Sequence, residues 1–140
     1  MSARDLYHDA VKNALVKDGW TITDDPLRLQ MRAKGTSLAV DLGAERLLAA
    51  ARGTEKVAVE VKTFLGSSFI SEFHATVGQL LVYWAVLRRK EPERALYLAV
   101  PKVIFEDEFS DSIVEATLED YSIRLLVFDP LTQEVVVWIP

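Results

Sequence analysis

The tripeptide Glu60-Val61-Lys62 holds the residues best suited to chemistry in this 140-residue chain. It lies in a run, residues 56–64, in which valines alternate with other side chains, and this alternation predicts a β-strand. Because side chains two residues apart project from the same face of a strand, Glu60 and Lys62 are expected to lie side by side. Such a pair is ordinary on a half-exposed strand, where water solvates both charges. The apolar surroundings instead favour a central strand, which rarely carries two charges on one face without a function.

Two further acids, Asp41 and Glu45, precede the apolar run 47–51. Residues 52–55 predict a turn, so this run and residues 56–64 are expected to form a hairpin that brings one or both acids near Glu60. Grouped carboxylates bind Mg²⁺ or Mn²⁺, since hard cations prefer oxygen ligands. Such an ion lowers the pKa of bound water and neutralises charge on a phosphodiester, while Lys62 orients the water or stabilises developing charge. The residues therefore predict phosphodiester hydrolysis, with the first metal ligand left open between Asp41 and Glu45.

Helices and strands alternate along the chain and must position these residues. Apolar spacing predicts helices over 5–18, 71–89 and 110–120, the second with Ser71 as its N-cap. Strands are predicted over 20–23, 27–31, 47–51, 56–64, 96–100, 123–128 and 135–139, and residues 37–42 form a further apolar run. Three tryptophans, Trp20, Trp84 and Trp138, are expected in the core. The order predicts an α/β (α+β) fold, a mixed central sheet flanked by helices, in one domain covering residues 1–140.

Composition narrows the classes of function. Half of the residues are hydrophobic, 26% are charged and none is cysteine, which excludes disulfides, thiolate zinc sites and cysteine nucleophiles. No apolar run is long enough to cross a bilayer and no signal peptide is evident, so we expect a cytoplasmic protein that does not associate with membranes. The net charge of −5 argues against strong sequence-independent binding to DNA. The one basic cluster, Arg88-Arg89-Lys90 with Arg94, suits either DNA phosphates or a solvated helix end.

Longer stretches resemble one protein family over nearly the whole chain. They are Tyr7–Leu15 (YHDAVKNAL), Lys17–Thr23 (KDGWTIT) and Val59–Phe64 (VEVKTF), followed by Glu72-Phe73-His74 and Gly78-Gln79. Together they resemble the XisH family, cyanobacterial proteins named fdxN element excision controlling factors. Asp41 followed by Glu60-Val61-Lys62 also resembles the PD-(D/E)xK motif of restriction enzymes and Holliday-junction resolvases.

The resemblance implies a restriction-endonuclease-like fold, a role in programmed excision of a DNA element, and an XisI-like protein partner. It also implies that Gln79, on the long helix, acts with Glu60, Lys62 and Asp41. One departure is Ala51, where the family carries a glutamate, and this predicts weak or absent metal binding. Two interpretations follow: a DNA endonuclease dependent on Mg²⁺ or Mn²⁺, or a catalytically inactive nuclease-fold regulator that binds a partner protein. The intact Glu60 and Lys62 favour the first, and Ala51 and the acidic net charge favour the second.

Residues around the start of the long helix are further candidates for DNA contacts. Ser67-Ser68 could cradle a phosphate with backbone amides, although a flexible connection is the simpler interpretation. His74 suits a phosphate at the helix N-terminus or an exposed surface position. His8, on the first helix, is expected at the surface. A small domain of this type often forms a homodimer, to which Phe69-Ile70 would contribute as exposed apolar residues.

Overall fold

The structure, a computed structural model, describes residues 3–29 and 47–140, which form one six-stranded sheet and four helices. The strands are β1 (Thr21–Asp24), β2 (Leu47–Arg52), β3 (Glu55–Val61), β4 (Arg94–Pro101), β5 (Arg124–Asp129) and β6 (Glu134–Ile139). The helices are α1 (Ala3–Lys17), α2 (Phe69–Lys90), α3 (Lys102–Glu108) and α4 (Ser112–Asp120). The predicted mixed sheet flanked by helices is confirmed, and it is consistent with a restriction-endonuclease-like α+β fold.

The strands lie in the sheet in the order in which they occur in the chain. β3 pairs with β4 and β4 with β5 in parallel, whereas the other three pairs are antiparallel. Parallel neighbours need long crossovers, which α2 provides between β3 and β4, and α3 with α4 between β4 and β5. The predicted hairpin is confirmed, since Arg52 pairs with Glu55 and Leu47 pairs with Glu60. β3 is therefore a central strand with a neighbour on each side.

Alternation along the strands divides the core into two layers, one on each face of the sheet. On the first, called the α1 face, Val11 and Leu15 of α1 pack with Val57 and Val59 of β3. On the opposite face, called the α2 face, Ala58 of β3 belongs to a cluster that includes Leu98, Val127 and, from α2, Phe73, Leu80 and Tyr83. Successive side chains of β3 therefore meet α1 and α2 in turn.

The buried stripe of α2 does not include Trp84, which was expected in the core. Trp84 is 47% exposed, whereas Phe73, Leu80, Tyr83 and Leu87 are buried. The stretch 80–87 reads LLVYWAVL, so apolar side chains occur on every side of the helix and their spacing does not select one face. Trp20 is buried as predicted.

Several predicted boundaries also change. α2 begins at Phe69, and the N-cap is Ser68, whose side chain accepts a hydrogen bond from the Ser71 amide at 3.3 Å. Phe69 packs against the core and is not an exposed apolar residue. α3 follows Pro101 directly and was not predicted.

Two sequence predictions fall partly or wholly outside the described residues. The described part of the predicted strand 27–31, Leu27 to Leu29, is not a strand. Residues 30–46, which include the apolar run 37–42, lie outside the described part of the chain. No helix within 3–29 and 47–140 is both long and apolar enough to cross a membrane.

Candidate active site

Glu60 lies in the middle of the sheet and is wholly buried. Its backbone is in register with Leu47 of β2 and Leu98 of β4, and its side chain is 0% exposed. Because it is two residues from Ala58, its side chain points to the α2 face. Burying a carboxylate among apolar groups costs several kcal/mol unless cations or hydrogen-bond donors compensate. The fold therefore has to compensate this acid through polar interactions, and Glu60 does take part in one.

Lys62 extends β3 by one residue beyond Val61. Its backbone N–H donates to the carbonyl oxygen of Ala99 at 3.1 Å, which continues the parallel ladder. Its side chain is half-buried and lines a cleft of about 290 Å³ between the end of β3 and the first half of α2. Glu60 and Lys62 thus share the α2 face, with Glu60 in the core and Lys62 at the cleft.

The first half of α2 supplies the opposite wall of this cleft. Four of its residues line the cleft, and their spacing of three and four residues puts them on one side of the helix: Glu72, Ala75, Thr76 and Gln79. Gln79 is thereby brought to the same cleft as Lys62. Its Oε1 atom is buried and has no hydrogen-bond partner among the described residues. An amide oxygen in this state is suited to accept a hydrogen bond or to bind a cation.

Glu72 is a cleft residue that sequence reasoning did not single out. Its Oε2 accepts a hydrogen bond from the backbone N–H of Gly66 at 3.1 Å. A Cβ atom on residue 66 would lie 2.9 Å from Glu72 Cδ, so glycine permits this close approach. The available signal was its spacing, since Glu72 lies seven residues, or two helical turns, before Gln79.

Phe64 fixes the turn by which the chain leaves β3. Its φ is +53°, a left-handed conformation that is unusual for a bulky side chain. The ring is buried, with its centroid 5.1 Å from that of Phe69 and 6.0 Å from that of Phe109. The packing of this aromatic cluster compensates for the strain of the positive φ, which persists only when the surrounding structure enforces it. Phe64 consequently anchors the segment that carries Lys62.

The predicted DNA-contact residues do not line the cleft. The side-chain oxygen of Ser68 caps α2, while Ser67 and His74 are exposed. Their predicted role in DNA binding stays a prediction. Ser68 has a clear structural role, since it satisfies a backbone N–H that the helix leaves without a partner.

The acids expected beside Glu60, Asp41 and Glu45, lie outside the described residues. Within the described residues, no three histidine or acidic side chains converge as metal ligands do. Glu45 is two residues before Leu47 in the chain, and Leu47 is the β2 partner of Glu60. A metal site built mainly from carboxylates at Glu60 therefore depends on Asp41 or Glu45.

The departure at Ala51 bears little on such a site. Ala51 pairs with Lys56, which is four residues before Glu60 on β3. Four residues span roughly 13 Å of strand, which is too far for one ion to bridge. A glutamate at this position would not share a cation with Glu60, so Ala51 is not an argument against metal binding there.

A second charged cluster lies on α1, on the opposite face of the sheet. His8 was expected at the surface but is buried, and its Nε2 atom lies 2.9 Å from Asp25 Oδ1. Lys12 Nζ is 2.8 Å from Asp25 Oδ2. Burial acts to raise the pKa of Asp25, but the hydrogen bonds from Lys12 and His8 and their charges outweigh it and hold the pKa below its usual value. This cluster ties α1 to the turn after β1 and does not touch the cleft.

Comparisons with known proteins connect this arrangement to one family. The family model described as XisH protein matches residues 1–136. The crystal structure of an XisH family protein from Nostoc punctiforme PCC 73102 is 42% identical, covers 97% of this chain and 100% of that chain, and has a TM-score of 0.87. That of an fdxN element excision controlling factor protein from Anabaena variabilis is 41% identical, with 98% and 100% coverage and a TM-score of 0.87. No curated protein matches the sequence.

Proposed function

Because this chain belongs to the XisH family, we propose that it is an fdxN element excision controlling factor and that it acts as a metal-dependent DNA endonuclease. The first part rests on the name of the related protein from Anabaena variabilis. The second rests on one observation, the wholly buried Glu60 on the same sheet face as Lys62. The sequence resembles the PD-(D/E)xK superfamily, in which such an acid–lysine pair has a catalytic role.

The oxygen donors at the cleft and in the core beneath it suit a hard divalent cation. Glu60 offers a carboxylate, Gln79 offers a buried amide oxygen, and Asp41 or Glu45 would complete the set. These are all oxygen ligands, which Mg²⁺ and Mn²⁺ prefer. Such an ion, when bound, supplies Lewis acidity and a lowered pKa for a bound water.

The side chains of this protein have separate tasks in the proposed reaction. Glu60 would hold the cation from inside the core, where its side chain is wholly buried. Lys62, at the cleft, is placed to meet the phosphate and to stabilise the negative charge that develops on it. Gln79 would orient the bound water or a cation ligand from the helix side. Because the chain carries a net charge of −5, the site and not a basic surface must supply the affinity for DNA.

A catalytically inactive regulator that works through a partner protein is the alternative. The acidic net charge favours it, as does the lack of a three-ligand metal cluster within residues 3–29 and 47–140. Under this alternative, Glu60 and Lys62 only stabilise the fold, and neither metal binding nor DNA cleavage depends on them.

Metal titration and DNA nicking distinguish the two. Calorimetry with Mg²⁺ and Mn²⁺ compares the wild type with Glu60→Gln and with the control Glu55→Gln, which changes an exposed glutamate on the same strand. Supercoiled-plasmid nicking compares Lys62→Met with Lys56→Met, an exposed lysine also on β3. We expect Glu60→Gln to abolish metal binding and Lys62→Met to lower the nicking rate about 100-fold or more, with both controls unchanged. Two results would support the regulator instead. One is metal binding that Glu60→Gln does not change, and the other is a folded wild type that neither binds metal nor nicks DNA.

A further inference from the structure

A second cleft on the α2 face is largely apolar and open to solvent. Its volume is about 360 Å³, and it lies between the second half of α2 and the junction of α4 with β5, with Leu96 and Leu98 among its lining residues. Trp84 on one side and Tyr121 on the other are 47% and 57% exposed. Large aromatic side chains exposed around an apolar groove are typical of the centre of a protein–protein interface.

Opposite charges predominate on the two helices that border this cleft, although Arg124 of β5 also lines it. α2 ends in Arg88-Arg89-Lys90, and the guanidinium carbon of Arg88 lies 4.3 Å from the centroid of the Trp84 ring. α4 carries the exposed acids Glu115, Glu119 and Asp120, the last of which lines the cleft. Among the described residues, none of these six side chains takes part in an ion pair.

We propose that this surface, called the Trp84 surface and made of Leu81, Trp84, Tyr121 and the six charged residues, joins two copies of the chain about a twofold axis. A twofold interface places the same patch of both subunits face to face. A patch with an apolar centre, a basic side and an acidic side complements itself in that arrangement, because the basic side of each copy meets the acidic side of the other. The charges that have no ion-pair partner among the described residues thereby find one in the dimer.

Two other occupants fit the surface less well. A DNA backbone would be attracted to Arg88-Arg89-Lys90 but repelled by Glu119 and Asp120, and it has no apolar group to cover Trp84. An unrelated protein would have to carry both a basic and an acidic complement at the same spacing. A second copy of this chain carries both by construction.

Sedimentation analysis of the full chain tests the proposal through a charge exchange. One variant reverses the basic side (R88E/R89E/K90E) and another reverses the acidic side (E115K/E119K/D120K), each checked for folding by circular dichroism. We expect the wild type to dimerise and each variant alone to be monomeric, because like charges then meet at both contacts. An equimolar mixture of the two variants is expected to dimerise again, since both contacts become attractive.

The apolar centre has its own variant and control. Trp84→Ser is expected to weaken dimerisation at least about 10-fold, the loss of a central aromatic contact. Leu131→Ser, at a residue that is 92% exposed and lies between β5 and β6, is expected to leave it unchanged. A wild type that stays monomeric up to about 500 µM overturns the proposal, because a dimer with a Kd above that concentration is too weak for a specific interface. So does a dimer that both Trp84→Ser and the charge reversals leave intact. If a monomeric wild type binds duplex DNA and Trp84→Ser weakens that binding, the surface belongs to nucleic acid instead.

Discussion

Replacing Glu60 with leucine is expected to destabilise the metal-free protein. Its side chain is wholly buried, and its strand partners on either side are Leu47 and Leu98. Glu60 takes part in a polar interaction that leucine cannot replace. Removing one member of a buried polar pair leaves the other member desolvated, which costs about 3–5 kcal/mol. We therefore expect the free energy of unfolding to fall by about 3–5 kcal/mol.

Metal is expected to widen this difference in stability. An ion that binds only the folded wild type adds about 2.7 kcal/mol when its concentration is 100 times its Kd. Glu60→Leu removes the ligand and should gain nothing from Mg²⁺. Urea unfolding followed by circular dichroism, with and without Mg²⁺, measures both effects. Glu55→Leu is the control, because Glu55 is exposed on the same strand and should change stability by no more than about 0.5 kcal/mol while keeping the gain from metal.

Two results would refute this reasoning. If metal-free Glu60→Leu is at least as stable as the wild type, the fold does not depend on the polar interaction of this carboxylate. If Glu60→Leu gains as much stability from Mg²⁺ as the wild type does, Glu60 is not a ligand of the ion.

Ser68, Phe64 and Asp25 allow three tests of local structure by urea unfolding. Ser68→Ala should lower the free energy of unfolding by about 1 kcal/mol through loss of the N-cap, and an equal or larger effect of Ser71→Ala would contradict this assignment. Phe64→Ala should lower the free energy of unfolding by about 3–5 kcal/mol. Phe64→Gly should be more stable than Phe64→Ala by up to about 1 kcal/mol, because glycine adopts the positive φ without strain. The opposite order of these two variants would show that the turn is unstrained. Because the pKa of Asp25 is lowered on folding, its carboxylate stabilises the fold above the unfolded-chain pKa of about 4, and this contribution is lost as the pH falls through the lowered pKa. Asp25→Asn should therefore cost about 1 kcal/mol at pH 7 and flatten the loss of stability in acid, and a variant with the same acid profile as the wild type would count against the ion pair.

The strand that carries Glu60 and Lys62 was predictable because its signal is local and redundant. Valines alternate along β3 and a glycine-containing turn precedes it, so period, face and hairpin register all point to one arrangement. The pattern predicted a central strand but not the complete burial of Glu60. It also did not predict the cleft partners on α2, because the position of Gln79 and Glu72 opposite Lys62 depends on how a crossover helix packs on the sheet.

The incorrect predictions from the sequence have physical causes in particular segments. In α2, apolar residues surround the helix over 80–87, so tertiary packing chose Tyr83 over Trp84 for the core. α3 has seven residues, none of them buried, and no side-chain cap, so it lacks both the amphipathic stripe and the start signal of a helix. His8 looked like a surface residue because its partner, Asp25, is 17 positions away in the chain.

The long helix α2 connects the two proposals while keeping them independent. Its first half, with Glu72 and Gln79, lines the cleft of Lys62, whereas its second half, with Trp84, lines the surface proposed for dimerisation. A twofold contact through the second half does not use the residues of the Lys62 cleft, so each subunit of the dimer would keep its own site. Substitutions at Trp84 should then change the association of the chains without changing the affinity for metal, and substitutions at Glu60 should do the reverse. A variant at either position that altered both properties would show that the two surfaces are coupled through α2.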